Sequence, residues 1–287
     1  MPDALTERAP AKVNLTLRVL GRRADGYHRL ESLVAFADLA DGLSLVPGEG
    51  ARLEVSGTFA AQCGAVNDNL VLRAAAAALA AATGELKQGE FKLTKSIPVA
   101  AGIGGGSSDA AAALRLLARA NGIALDDRRL LQAASTVGAD VPVCLDPRAR
   151  VMRGVGEELS PPLDLPPLQA LLVNPGVPLA TRDVFGKFDQ RDASSVALGE
   201  VPTGHDDFLD WLAEHGNDLT NAAAACVPVI SDMLGLLAKL DGCRLARMSG
   251  SGATCFALFD EADAATAAAT KLNKNRADWW VCTTTLR

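Results

Sequence analysis

The 287 residues are 49 % hydrophobic and 22 % charged, the balance of a globular chain with a sizeable core and room for two ordinary domains or one large one. A net charge of −6, and no apolar run of membrane-spanning length, argue against nucleic acid and membrane as general partners. The opening Met-Pro-Asp-Ala-Leu-Thr-Glu-Arg carries charge where a secretory leader needs an apolar stretch, so cytoplasmic residence is expected.

Six cysteines (Cys63, Cys144, Cys226, Cys243, Cys255, Cys282) are dispersed without a Cys-x-x-Cys pair. That speaks against a zinc site or a disulfide framework and leaves them as packing residues. Residues 1–100 hold eleven Lys and Arg against eleven Asp and Glu, so the acidity falls on the remainder. A neutral first third can accept an anionic ligand that the whole chain would repel.

In chain order, Lys12 to Leu20 alternates polar and apolar residues, which predicts a strand with one buried face and puts Lys12 and Asn14 on the other. The alternation alone favours a solvated polar face over a site. A turn at 21–26 leads through Tyr27, the single tyrosine, and His28, one of three histidines, into a strand over Leu30–Leu39. The pair reads either as a buried aromatic beside a bonded histidine or as a base reader, since tyrosine can stack a flat ring and histidine can bond a base edge.

Asn67-Asp68-Asn69 offers caps for a helix over Leu70–Thr83, ended by Gly84. Phe91, Leu93 and Ile97 alternate as a half-buried strand, and Ala110–Ala120 is strong helix material stopped by Asn121-Gly122. A further helix spans about Asp127–Ser135 and closes near Gly138. Asp140 then precedes the apolar 141–145 and is either a turn or capping aspartate or a site residue, its position favouring the turn. Prolines 147, 161, 162, 166 and 167 mark a domain change, which divides the chain into 1–158 and 159–287. Beyond it come a strand over Leu168–Val173, a loop over 189–206 and a helix over Pro228–Leu240. Ser249-Gly250-Ser251-Gly252 follows, then a strand over Ala253–Phe259, a helix over Ala262–Leu272 and a strand over Trp280–Thr285. That order is compatible with a ferredoxin-like half. The Ser249–Gly252 loop is either a hairpin turn or a backbone cover for a substrate.

The most informative stretch is Pro98-Val99-Ala100-Ala101-Gly102-Ile103-Gly104-Gly105-Gly106-Ser107-Ser108-Asp109, between strand and helix. Its glycines allow unusual dihedrals and close backbone approach, and the following helix offers bare N–H groups at its positive end, so the stretch reads as a phosphate cradle. Ser107, Ser108 and Asp109 can cap the first turn, and the serine hydroxyls can meet a phosphate oxygen or Mg²⁺. No lysine follows the glycines, which excludes a Walker A loop. Ser107 stands where a dinucleotide fingerprint needs glycine.

Ala11-Lys12-Val13-Asn14-Leu15, Pro98–Ser108 and Ser249-Gly250-Ser251-Gly252-Ala253-Thr254 resemble, in order and across nearly the whole chain, the three motifs of the GHMP kinase superfamily. The third glycine of Gly104-Gly105-Gly106-Ser107-Ser108-Asp109, together with Arg23-Ala24-Asp25-Gly26-Tyr27-His28 and Gly138-Ala139-Asp140-Val141-Pro142, is similar to the branch whose small-molecule substrate is a cytidyl-bearing alcohol. The resemblance implies an α+β fold of two domains, the first like ribosomal protein S5 and the second ferredoxin-like. It implies ATP as co-substrate with Mg²⁺, and leaves the metal ligands and the oligomeric state open. Asp140 would be the general base and Lys12 would hold that carboxylate ionised and stabilise the transferred charge. Pro98, Val99, Ala100, Ala101, Gly102, Ile103, Gly104, Gly105, Gly106, Ser107 and Ser108 would hold the phosphates, with Lys95 and Asn69 towards adenine and ribose. Asn14 would orient the reacting hydroxyl, Tyr27 and His28 would read the cytosine, and Thr181, Phe185, Ser249, Gly250, Ser251 and Gly252 would complete the substrate side. Two rivals stand against this reading, a homoserine- or mevalonate-type kinase of the same superfamily and a nucleotide-binding sensor without catalysis. The first needs no Tyr27-His28 and the second needs no Lys12 or Asp140.

Overall fold

Ten residues of alternating side chains open the described chain as β1 (Leu5–Asn14), and a break at Leu15–Leu17 separates it from β2 (Arg18–Arg22). This is a computed structural model, and it describes residues 4–22, 24, 26–189, 193 and 197–287. The single strand expected over Lys12–Leu20 is therefore two, and its polar face is not solvated. Lys12 is 3 % exposed and Asn14 6 %. Arg23 and Asp25 of the turn motif lie outside the described residues. β3 (His28–Gly48) runs eleven residues beyond its expected core, which is why its two halves can serve different neighbours. β4 (Ala51–Ser56) was not legible in the sequence, because its alternation of Arg52 and Glu54 with half-buried neighbours is weakly apolar.

Asn69 caps α1 (Leu70–Ala81) as expected, its side chain accepting from the Val71 N–H at 3.0 Å. β5 (Gln88–Thr94) leads to α2 (Gly105–Asn121), which begins five residues earlier than its alanine run suggests. Its N-cap is Gly104 with no side-chain cap bond, so Ser107, Ser108 and Asp109 lie inside the helix and do not cap it. Asp127 caps α3 (Arg128–Val137), and the apolar segment after Asp140 is the short helix α4 (Val141–Leu145). Next come β6 (Arg150–Gly154), β7 (Glu158–Leu159), β8 (Leu168–Asn174) and α5 (Thr181–Lys187). Of the expected loop over 189–206, residues 190–192 and 194–196 lie outside the described residues, and its end is already the first turn of α6 (His205–Glu214). α7 (Thr220–Cys226), α8 (Val229–Leu237), β9 (Cys243–Met248), β10 (Cys255–Phe259), α9 (Ala262–Asn275) and β11 (Trp280–Leu286) complete the chain.

Contacts group the chain into two discontinuous units, where the proline-rich boundary predicts two contiguous ones. The first joins Met1–Lys12, Leu39–Val99 and Gly104–Pro147, and the second Val13–Asp38, Ala100–Ile103 and Arg148–Arg287. In the first, the later half of β3 pairs antiparallel with β5 and β4 pairs parallel with β5. α2 is buried along almost its whole length against α1, α3 and α4, which its alanines allow to approach closely. In the second, β2 and β6 flank the earlier half of β3. Its other strands run in the order β11-β8-β10-β9, all antiparallel. Counted from β8 as one, that order is four-one-three-two with helices in both crossovers, the ferredoxin-like arrangement expected. Phe256, Phe259, Leu171, Ile230 and Met233 are among its fully buried side chains.

Candidate active site

Lys12 is the last residue that β1 contributes to the first unit, and its side chain runs along the start of α2. A Cβ added at Gly104 would lie 3.1 Å from both Lys12 Cβ and Cε. Gly104 also has φ +63°, so glycine is required there for its backbone and for the room it leaves. The Lys12 ammonium ends 3.2 Å from Asp140 Oδ2, with side-chain exposures of 4 % and 41 %. Asp140 occupies the N-cap position of α4 but makes no capping hydrogen bond, so its carboxylate is not given over to the turn. A nearly buried ammonium thus faces a carboxylate that solvent, and hence a small ligand, can reach.

The turn before α2 carries Ala100 at φ +54° and Gly102 at φ +77° ahead of Gly104. Residues 100–103 are held within the second unit. Ala101 O accepts from the Thr254 N–H at 3.2 Å and from the Thr254 hydroxyl, and Gly102 O accepts from the Ser249 hydroxyl at 3.2 Å. A Cβ at Gly102 would fall 2.2 Å from Gly252 O, which no side chain could tolerate. From Gly104 on the chain belongs to the first unit, and the first N–H groups of α2 have no side-chain cap competing for them. A helix of 17 residues places its positive end there, the geometry of an anion site. Ser107 is half-buried. Ser108 is wholly buried beside the Cys144 thiol, makes no hydrogen bond to nitrogen or oxygen among the described residues, and so cannot meet a ligand.

Lys95, expected towards adenine and ribose, turns its side chain into the interior. It is 3 % exposed and its ammonium pairs with Asp41 and, at 2.8 Å, with Asp109 Oδ2. Burial opposes its charge, yet the two carboxylates raise its pKa, and burial pushes Asp109 up to about 7 although Lys95 draws it down. Asp41 does not stand out in the sequence and Asp109 reads there only as a capping residue, because what marks them is a contact with Lys95 across 54 and 14 positions.

In the second unit, His28 stacks on Phe185 with ring centroids 5.0 Å apart and 17° between planes, and meets the edge of Phe188 at 5.7 Å. Tyr27 beside it is 67 % exposed, a large aromatic held out in solvent. Burial and then the Arg22 guanidinium lower the His28 pKa from 6.5, so the ring is neutral at pH 7. Phe188, three residues after Phe185, is the member of this group that sequence reasoning missed. The Asn14 Nδ2 donates to Ser32 Oγ at 2.7 Å, and the Asn14 N–H donates to Ser249 Oγ at 3.0 Å. Ser249 is fully buried and joins Asn14 to Gly102, so its hydroxyl holds the backbone and does not face a ligand. The Thr181 and Ser251 hydroxyls stand 2.9 Å apart at the surface, and a Cβ at Gly250 would lie 3.2 Å from Asn14 Oδ1. Arg247, also unforeseen, donates to Leu15 O at 2.7 Å and Leu212 O at 2.6 Å from a buried position, where desolvation brings its pKa down to about 10. It fixes the backbone next to Asn14.

Among the described residues, no three His, Cys, Asp or Glu side chains gather as a metal cage. No helix is long and apolar enough to cross a membrane. A cavity of about 190 Å³ lined by Leu86, Leu117, Ile123 and Arg129 lies at the far end of α2 from Gly104 and contains none of the expected site residues.

The GHMP kinases N terminal domain matches residues 69–146, and the GHMP kinases C terminal domain matches residues 203–278. The chain is 55 % identical over 285 residues to a 4-diphosphocytidyl-2-C-methyl-D-erythritol kinase of Methylorubrum extorquens (strain PA1), covering 97 % of this chain and 98 % of that one. A kinase of the same description from Methylobacterium radiotolerans is 56 % identical over 289 residues, with 99 % of each chain covered. Among solved structures, a 4-(cytidine 5'-diphospho)-2C-methyl-D-erythritol kinase superposes with a TM-score of 0.80 at 36 % identity, over 98 % of this chain and 99 % of that one. A homoserine kinase from Cytophaga hutchinsonii shares the fold, with a TM-score of 0.75 at 20 % identity over 99 % and 95 %.

Proposed function

The chain belongs to the GHMP kinases and, among them, to the 4-diphosphocytidyl-2-C-methyl-D-erythritol kinases, and from that premise we propose that it transfers the γ-phosphoryl group of ATP to the 2-hydroxyl of 4-diphosphocytidyl-2-C-methyl-D-erythritol. The reaction is a step of the non-mevalonate route to isoprenoid precursors, and its setting is the cytoplasm.

The observation that carries the mechanism is the Lys12–Asp140 contact of 3.2 Å beside Gly104. A tertiary alcohol is a weak nucleophile at neutral pH. Asp140 takes its proton as the oxygen forms its bond to the γ-phosphorus and the bond to the β-phosphate oxygen breaks, releasing ADP. A positioned base of this kind contributes roughly 10²- to 10⁴-fold. The Lys12 side chain is set against the transferred oxygens, where an ammonium already held in place stabilises the transition state without reorganising. The glycine turn and the uncapped start of α2 hold the triphosphate by backbone N–H groups, with Ser107 as the hydroxyl within reach.

Mg²⁺ fits this donor set only as an ion carried by phosphate oxygens and one or two side chains, since no protein cage is present among the described residues. Ser107 is the side chain that would complete such a shell, and the ion would supply charge neutralisation of the triphosphate. Asn14, two residues after Lys12 on β1, orients the reacting alcohol, its amide held by Ser32. His28, neutral and set against Phe185, offers one donor and one acceptor nitrogen to the cytosine edge, and Tyr27 stacks the ring. The nucleotide side is assigned to the glycine-rich turn and α2, and the substrate side to residues 159–287 together with Asn14, Tyr27 and His28.

The test is ADP release in a coupled assay with the cytidyl alcohol, homoserine and mevalonate offered separately. Turnover with the cytidyl alcohol alone supports the proposal. Turnover with homoserine or mevalonate instead, or tight ATP binding with no turnover on any alcohol, refutes it.

A further inference from the structure

The chain leaves β5 after Thr94 and re-enters regular structure at Gly105, and both ends of this connection lie over the same buried cluster. Lys95 is the first residue past β5. Its ammonium meets Asp41 Oδ2 on β3 and donates to Asp109 Oδ2 on α2 at 2.8 Å. The other oxygen of Asp41 accepts from the Ser96 and Ile97 N–H groups at 2.5 and 2.9 Å. The three side chains are 3 %, 0 % and 4 % exposed. Gly105 rests directly on the cluster: a Cβ there would lie 3.1 Å from Ile97 Cγ2 and 3.6 Å from Lys95 Nζ.

We propose that Lys95, Asp41 and Asp109 form a buried clamp that fixes the two ends of the glycine-rich turn relative to each other, which makes Lys95 a positioning residue for the triphosphate and not a contact to the nucleotide. The inference rests on the reading of this turn as the ATP site. Asp41 sets the direction in which the chain leaves β5, through two backbone N–H groups. Lys95 then ties that exit to the second turn of α2, so the chain leaving β5 and the N–H groups at the start of the helix are held in one frame. Two carboxylates against one ammonium in a dry interior stabilise a fold poorly compared with apolar side chains of the same volume. What such a cluster supplies well is fixed geometry, and a turn that must present several N–H groups to one anion gains affinity from being held in advance.

The test uses Asp109→Ala, which cuts the tie to α2 yet leaves Lys95 and Asp41 as a balanced pair. Its KM for MgATP is expected to rise about tenfold, the worth of one hydrogen bond to a charged group, with kcat and the KM for the alcohol within about twofold of the unaltered chain. Asp109→Asn, whose carboxamide oxygen still accepts from Lys95, is expected to restore most of the MgATP affinity. If Asp109→Ala proves insoluble, Asp109→Leu cuts the same tie at similar volume and is read by the same outcomes. A tighter MgATP KM would show that Lys95 is a nucleotide contact released by the substitution, and an unchanged one that the tie does not position the turn. A lower melting temperature with unchanged kinetics would show that the cluster serves stability alone. Any of these results overturns the clamp. An unaltered chain that neither binds nor turns over MgATP would fail earlier, at the ATP reading itself, and would take the clamp with it.

Discussion

Replacing Gly104 by alanine separates backbone strain from the contact that aims Lys12. Gly104 has φ +63° and Gly122, at the other end of α2, has φ +64°. Alanine in the left-handed region costs about 1–2 kcal/mol. The stiffer unfolded chain returns about 0.4–1 kcal/mol of that, so both variants carry a similar backbone penalty of about 1 kcal/mol. Their surroundings differ. A Cβ at Gly122 meets nothing within 4 Å, whereas one at Gly104 lies 3.1 Å from Lys12 Cβ and Cε, closer than ordinary carbon contact. Lys12 Cβ is anchored on β1, so the outer part of the side chain must swing away, and with it the ammonium that sits 3.2 Å from Asp140. A displacement of a few tenths of an ångström to about one ångström at a reacting centre costs roughly 10- to 100-fold in kcat. The expected result is a melting temperature lowered by about 2–4 °C in both variants, with kcat reduced at least about tenfold in Gly104→Ala alone. Calorimetry and steady-state kinetics at saturating MgATP and cytidyl alcohol measure the two effects. Matching kcat values for Gly104→Ala and Gly122→Ala would refute the argument that the turn aims Lys12.

Asp140→Asn is expected to lower kcat by at least about 100-fold while the affinity for MgATP holds, and near-normal turnover would remove Asp140 from the role of base. Tyr27→Ala should raise the KM for the cytidyl alcohol about tenfold through lost stacking and leave the KM for MgATP alone, and equal losses for both substrates would count against a cytosine contact. Because burial and Arg22 hold the His28 pKa below 6.5, the KM for the cytidyl alcohol should be flat around pH 7 and rise only as the pH falls below that value, when the ring loses its acceptor nitrogen. A KM that worsens instead as the pH climbs through 7, or the same acid limb in His28→Gln, would discard that assignment.

Strands β8 and β10, helix α9 and the cap of α1 follow from short-range rules: apolar runs, periods of two and 3.6, and an Asn whose side chain reaches the N–H two residues on. The glycine turn was legible for the same reason, since its chemistry is written in consecutive residues. β4 and the seven-residue helices α5 and α7 were not, because a short element held by its neighbours carries little local signal.

The sequence by itself therefore determined the glycine-rich turn before α2, the ferredoxin-like order of the second half and the family, all of which depend on residues close together in the chain or on motifs in a fixed order. Tertiary structure alone decided that Lys12 meets Asp140 across 128 positions, that His28 stacks on Phe185, that the last four residues of β1 are buried on both faces and that Lys95 turns inward to two aspartates. Such contacts come from which elements pack together and which charges find counter-charges once water is excluded. Desolvation, and not the chain's local pattern, selects the partner of a buried ammonium.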